Sequence, residues 1–347
     1  MKVQLISDKV SDISELVTSI TWAGDYQQAA RRLEVNIVSS PTDYYLPKVN
    51  IALGNMLKLL TDDGKELFRG YVFYRERSTV GIKVTAYDGL VYLTKSKATY
   101  NFKKMTAEAI TKKVAGDFGI PVGNLISTGI VQSFIADSQR IYDIIMQAYT
   151  GASKQNGKKY MPIMREGKLN VIEKGKVVVK YVLSSDTNIQ DATYSESIED
   201  MVNRVKIYDE NRKLVGTVEN AEWVKLYGVL QDVYVKESDK DAQTVAKGML
   251  KGMERSASLM GVLGNVDCIT GYAIMVKEPY TGLNGLFYID NDTHTWQDGQ
   301  YTMSLGLNFQ NVMDVKEIQE VGQSSESIQR NNKADTDIWS ELQSTSD

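Results

Sequence analysis

The chain has 347 residues, 42% of them apolar and 24% charged, too long for one compact core and suited to two or three domains. A net charge of −4 excludes the basic footprint that nucleic-acid binding needs. One histidine and one cysteine leave almost nothing for His-based general base work, a Cys–His pair or a zinc site, and the single cysteine allows no intramolecular disulfide, which fits folding in a reducing cytosol. Met1–Leu16 has no apolar signal core, and the most apolar stretches, such as Ile141–Tyr149, are too short to cross a bilayer, so a soluble protein is expected.

In chain order, the first ninety residues read as strands. Leu16–Trp22, Leu33–Val38 and Lys83–Tyr87 alternate apolar and polar, which turns one face to a core. Asp62-Asp63-Gly64-Lys65 is a hairpin turn in which Gly64 supplies positive φ. After Tyr100 the pattern changes. Ile110, Val114 and Phe118 form a helix stripe with Thr106 as N-cap, stopped by Gly119 and Pro121. A second helix is expected over Ser138–Tyr149 and ends at Gly151. Short strands come next at Met161–Met164, Leu169–Glu173 and Val177–Leu183, the first pair turning at Glu166–Lys168.

Strand character returns at Met201–Tyr208 and, after a turn at Asp209–Arg212, at Leu214–Val218. Ser238 then announces a helix over Lys240–Met260, with Gly261–Gly264 as its stop. The last strands are Ala273–Val276, Leu286–Asp290 and Tyr301–Asn308, the final pair joined by a loop ending in Asp298-Gly299. From Lys316 the chain is polar, apart from a short helix candidate at Asp335–Gln343 whose apolar side is Ile338, Trp339 and Leu342. The expected domains are a β domain over 1–95, an α+β domain over 96–185, a second β domain over 186–315 with an inserted helix at 238–260, and a tail over 316–347.

Several clusters invite a chemical reading. Asp290, Asp292, His294 and Asp298 supply oxygen and nitrogen of the kind metals take, but Asn-Asp-Thr reads as a turn, and loop capping by short polar side chains is the expectation. Asp191, Glu196, Glu199 and Asp200 could suggest paired carboxylates of a glycosidase; in linker-like sequence they read as a solvated face. Lys103-Lys104, Lys112-Lys113, Lys154 and Lys158-Lys159 read as solvated helix and loop faces. Cys268 reads as a small buried hydrophobe, and Met249, Met253 and Met260 as core filling. No catalytic residue, metal site or cofactor is expected.

Ordered blocks at both ends carry a family resemblance. Ser19–Asp25, Ala30–Leu33 and Leu67–Val72, then Ser197–Ile207, Gly285–Trp296 and Gly299–Leu307, resemble the baseplate hub proteins of contractile phage tails, the type of PBSX-like defective prophages and phage-tail-like bacteriocins. The resemblance spans roughly residues 10–315. It implies a mainly β fold in which two tail-tube-like β-barrel domains flank a small α+β domain. It implies a homotrimer that presents a pseudo-sixfold ring, joins the hexameric tail tube to the trimeric spike, and touches LysM-type and wedge proteins. It also implies assembly in the bacterial cytoplasm, with no specific nucleic acid and no membrane. Arg31–Ser39 with the segment to Leu46 resembles the long hairpin by which such barrels reach their neighbours, with Tyr44, Tyr45 and Leu46 as its contact tip. Ile338, Trp339 and Leu342 are expected as a second contact. A tail-associated cell-wall hydrolase and a glycan-binding tail module are the competing readings.

Overall fold

The computed structural model describes residues 1–237 and 241–318. The chain forms two units: Met1–Lys174 with the chain from Met313, and Gly175–Val312.

The first unit opens with β1 (Lys2–Ile6), β2 (Val10–Asp12), β3 (Val17–Asp25), β4 (Arg32–Val38), β5 (Met56–Leu60), β6 (Glu66–Arg77) and β7 (Gly81–Tyr87). These pair in the order β3-β4-β7-β6-β5-β1-β2, all antiparallel. Alternation decides the face: Leu33, Val35 and Ile37 of β4 and Ile82, Val84 and Ala86 of β7 are buried. The β5–β6 turn forms where expected, with Gly64 at φ 90° and the Thr61 N–H donating to the Lys65 carbonyl. The long hairpin expected after Arg31 does not form. β4 stops at Val38, and no strand occurs before β5, because the Asp43 carboxylate and Ser40 hydroxyl accept local backbone N–H groups and fold the segment into polar turns.

Next come α1 (Leu90–Lys95), β8 (Lys97–Thr106), α2 (Ala107–Asp117), β9 (Val122–Leu125), β10 (Val131–Arg140), α3 (Ile141–Asn156), β11 (Tyr160–Arg165) and β12 (Lys168–Glu173). They share one core with Ile110, Val114, Ile141, Ile145 and Tyr149 at its centre. Thr106 caps α2 by accepting from the Ala109 N–H. α3 differs from the expectation at both ends. It starts after Arg140, because Ser138 and Gln139 belong to an irregular end of β10. It also runs through Gly151 to Gly157, which takes the left-handed conformation at φ 74°. Gly151 is a close-approach position: a Cβ there would meet the Gln132 amide, which donates to the Ala148 carbonyl at 2.6 Å. The returning chain lies along α3, with Gln147 Nε2 donating to the Glu317 carbonyl at 3.0 Å and Lys154 paired with Glu317 at 2.6 Å.

The second unit contains β13 (Val178–Ser184), β14 (Asp191–Ser197), β15 (Arg204–Tyr208), β16 (Leu214–Glu219), α4 (Ala221–Tyr227), β17 (Gln231–Val235), α5 (Ala242–Gly248), β18 (Glu254–Leu263), β19 (Ala273–Glu278), β20 (Leu283–Gln297) and β21 (Gln300–Asn308). Its main sheet runs β14-β18-β21-β20-β19-β13, with only β13 parallel to its neighbour. Leu259, Val262, Ile274, Val276, Phe287, Ile289 and Leu305 fill its core. β13 therefore belongs here rather than to the α+β region, since its pairing to β19 and burial of Val179 and Leu183 tie it to this sheet.

The helix expected over Lys240–Met260 is corrected. α5 covers Ala242–Gly248, capped by Asp241, which accepts from the Gln243 and Thr244 N–H groups; the Ser238 expected as cap lies outside the described residues. Beyond Gly252 the sequence alternates as Ala257 and Leu259, and it pairs as β18. Gly261, expected as a helix stop, sits inside β18 at φ 61°, where the register to β21 slips between Leu259 and Val262. The strands expected at Met201–Tyr208 and Leu214–Val218 form as β15 and β16, but outside the main sheet. Ser197 pairs with Glu254, so 198–253 is an insertion between adjacent strands. It has its own sheet, β16-β15-β17, and a small core of Val205, Ile207, Tyr234 and Ala246. The fold is thus mainly β, with α+β elements between two antiparallel sheets, as expected for the class.

Candidate functional site

The expected contact tip lies on the β4–β5 loop. Tyr44 and Tyr45 are 92% and 95% exposed, while Leu46 is half-buried. The Asp43 carboxylate accepts from the Tyr45 N–H at 2.9 Å and from the Leu46 N–H at 3.3 Å, so an Asx turn holds the two rings outward. Ile338, Trp339 and Leu342 lie outside the described residues. A third exposed aromatic was not found from sequence: Tyr280, 97% exposed, on the β19–β20 turn. Glu278 accepts from the Tyr280 and Thr281 N–H groups, and the Thr281 hydroxyl holds that carboxyl below its ordinary range.

A cleft in the first unit was also missed. Its volume is about 510 Å³, and the β3–β4 loop, β6, the end of β7, α1, the start of α3 and the returning chain line it. One wall is aromatic. The ring centroid of Phe73 lies 5.9 Å from that of Tyr87, and Tyr74 and Tyr142 complete the aromatic lining. Phe73 and Tyr74 remain 37% and 49% exposed. The rim carries Lys95, Arg140 and Lys316 against Asp143 and Asp314. Burial pushes the Asp143 carboxyl up, against the pull of Lys316 and Arg140. No sequence signal joins these residues, because six separate segments bring them together.

His294 lies on a strand. β20 continues through 290–297, with a register slip at Asp290, so the expected turn at Asn-Asp-Thr is corrected. The physical reason is pairing: Asp292, Thr293 and His294 face Leu305, Ser304 and Met303 of β21. Asp292 and His294 are fully buried. Asp292 accepts from the N–H and hydroxyl of Thr270, both at 2.6 Å. His294 Nδ1 meets the Tyr301 hydroxyl at 2.8 Å, and Nε2 meets the Cys268 carbonyl at 3.1 Å and Asp292 Oδ2 at 3.3 Å. Asp290 accepts from Asn308, and Asp298 sits in the exposed β20–β21 turn, so the four candidate ligands do not converge. Among the described residues no three His, Cys, Asp or Glu side chains form a metal-ligand group. Burial raises the Cys268 thiol to about 12, leaving it inert.

The charged runs are surface features. Asp191, Glu196, Glu199 and Asp200 are exposed, with Glu196 3.3 Å from Arg255 and Asp200 3.8 Å from Lys251. Lys113 pairs with Asp117 and Lys158 with Glu173, while Lys103, Lys104 and Lys112 are exposed. Of the methionines, Met249 packs on the inserted core, Met253 is half-buried and Met260 is 48% exposed, so the three share no core.

Asp88 is a buried structural carboxylate in the first unit. It accepts from the N–H groups of Leu90 and Arg31, and the Arg31 guanidinium lies 4.1 Å from the Trp22 ring centroid. Burial raises its carboxyl to about 7, against these hydrogen bonds and the Arg31 charge. A folded-state value above the unfolded one means that its stabilisation is complete below about pH 4 and is lost as pH rises through about 7. Asp88→Asn keeps one acceptor for the two N–H groups and does not titrate, so its stability relative to the parent is expected to be higher at pH 8 than at pH 5. Thermal unfolding at the two pH values checks this; a gap that does not change with pH counts against it.

The fold has solved relatives. The 43 kDa tail protein of prophage MuSo2 from Shewanella oneidensis superposes with a TM-score of 0.66 at 15% identity, over 89% of this chain and 98% of that one. By fold, this chain is similar to a solved phage-tail protein. A family model described as YqbQ-like matches residues 20–308, and the chain belongs to the YqbQ-like family. The Bacillus subtilis (strain 168) protein YqbQ is 30% identical over 318 residues, covering 88% of this chain and 96% of its own. Phage-like element PBSX protein XkdQ of the same strain is 28% identical over 324 residues, covering 90% and 98%. The resemblance read from the sequence blocks is thus borne out at the level of the family, a phage-tail baseplate family, and the chain is a phage-tail structural protein. No helix among the described residues is long and apolar enough to cross a membrane.

Proposed function

We propose that the chain is the baseplate hub of a contractile phage tail or phage-tail-like particle, a non-enzymatic homotrimer that adapts the hexameric tube to a trimeric spike. The observation that carries this reading is duplication within one chain. Lys2–Tyr87 and Val178–Asn308 each contain a mainly antiparallel sheet with an apolar core face. Three chains then offer six such sheets, and a ring closes when each interface repeats around the axis. The edge strands β2 and β14, each paired on one side only among the assigned strands, are suited to add a neighbour's strand. Tyr44 and Tyr45 supply aromatic contacts of the kind enriched at interfaces. LysM-type and wedge proteins would flank the hub, with assembly in the bacterial cytoplasm.

Sedimentation of the purified chain, followed by electron microscopy with the tube protein, tests the reading. A three-chain particle that nucleates tubes supports it; a monomer that degrades murein or binds glycan without tube protein overturns it. Tyr44→Ala with Tyr45→Ala is expected to leave stability within about 0.5 kcal/mol while abolishing nucleation. Unchanged nucleation by the folded double variant would remove these rings from the interface.

A further inference from the structure

The aromatic cleft of the first unit is open on one side and charged at its rim. Its aromatic wall is Phe73, Tyr74 and Tyr87, and its three cations, Lys95, Arg140 and Lys316, outnumber its two carboxylates, Asp143 and Asp314. The described chain ends at Ile318, two residues after Lys316, so the C-terminal remainder of the sequence starts at the lip of the cleft. That remainder holds one short segment with a concentrated apolar side, Asp335–Gln343, where Ile338, Trp339 and Leu342 are spaced as neighbours on a helix. Its charges are Asp335, Asp337 and Glu341, all opposite in sign to the rim's excess positive charge.

We propose that this cleft is the docking site of the chain's own segment Asp335–Gln343. Trp339 and Ile338 pack on the Phe73–Tyr87 wall, and the segment's carboxylates face Arg140 and Lys95. Three observations favour the chain's own segment over another occupant. The connection is covalent and begins at a cleft residue. The 20 residues from Ile318 to Ile338 have a typical end-to-end distance of about 25 Å as a flexible linker. A tether of that length gives an effective concentration on the order of millimolar, which a free partner seldom matches. Charge and apolar character also agree on both sides. The inference stands apart from the hub reading, since it concerns a single chain.

Disulfide trapping in the full-length protein tests it. Thr94→Cys, on the cleft lip, is combined with Ser340→Cys, and oxidation is followed with diamide. The native Cys268 is fully buried and stays out of the reaction. The control places the first cysteine at Val80, 77% exposed in the β6–β7 turn. The expected result is an intrachain disulfide that forms about tenfold faster from position 94 than from position 80. Arg140→Glu should slow trapping by about tenfold, and adding Asp337→Arg should restore it. Equal rates from the two positions overturn the proposal. A predominantly interchain product also overturns it, assigning the cleft to a second copy. If Thr94→Cys disturbs the fold, Lys95→Cys on the exposed lip gives the same comparison.

Discussion

Replacing Asp292 by alanine is expected to cost the second unit about 3–5 kcal/mol of unfolding free energy. The carboxylate is fully buried, and one oxygen accepts from both the N–H and the hydroxyl of Thr270, while the other lies 3.3 Å from His294 Nε2. Alanine removes the acceptor but leaves the donors in the core, where an unmade hydrogen bond carries its full desolvation cost. The damage spreads because His294 also contacts Tyr301, whose ring stacks on Trp296 at 4.3 Å. Asp292→Asn keeps one carbonyl oxygen for Thr270 and is expected to lose roughly half as much. Urea unfolding followed by hydrogen exchange in β20 and β21 measures both variants. A loss below about 1 kcal/mol for alanine would show that the network relaxes without its centre.

Gly70→Ala is expected to destabilise the first unit by about 3 kcal/mol, at the upper end for overpacking. Gly70 lies within the Leu67–Val72 block that carried the family resemblance. Its φ is ordinary, so left-handed backbone is not the reason for glycine. The reason is space. A Cβ at Gly70 would sit 2.6 Å from the Tyr87 carbonyl carbon, and the ring of Phe68 fills the rest. Backbone of a paired strand cannot swing aside as a side chain can, so β6 must shift against β7, where Tyr71 pairs with Tyr87. Gly116→Ala in α2 gives the contrast. No atom lies within 4 Å of its Cβ position, and alanine there is expected to stabilise by about 0.5–1 kcal/mol. The two melting temperatures should move in opposite directions. A Gly70→Ala protein that melts like the parent would remove the close-approach explanation.

Local pattern made much of this legible. Alternation located β4 and β7, the Thr106 cap located α2, and turn chemistry located Gly64, Gly167 and Asp298-Gly299. The misreadings came where one residue type serves two purposes. Gly151 and Gly261 read as helix stops, yet one admits a Gln132 side chain into a helix face and the other relieves a strand bulge. Asn-Asp-Thr reads as a turn on propensity, but cross-strand pairing to β21 holds it extended.

What the sequence determined by itself is therefore the alternating and helical segments, the tight turns, the family and the scarcity of catalytic side chains, because these depend on residue order and type over short spans. Only the tertiary structure decided that 198–253 is an insertion between paired strands, that Asp292 and His294 share one buried network, and that Phe73, Tyr87, Arg140 and Lys316 wall a single cleft. Each of these joins residues far apart along the chain. Such contacts form only when the burial of both partners outweighs the entropy of closing the loop between them, a balance that no local window contains.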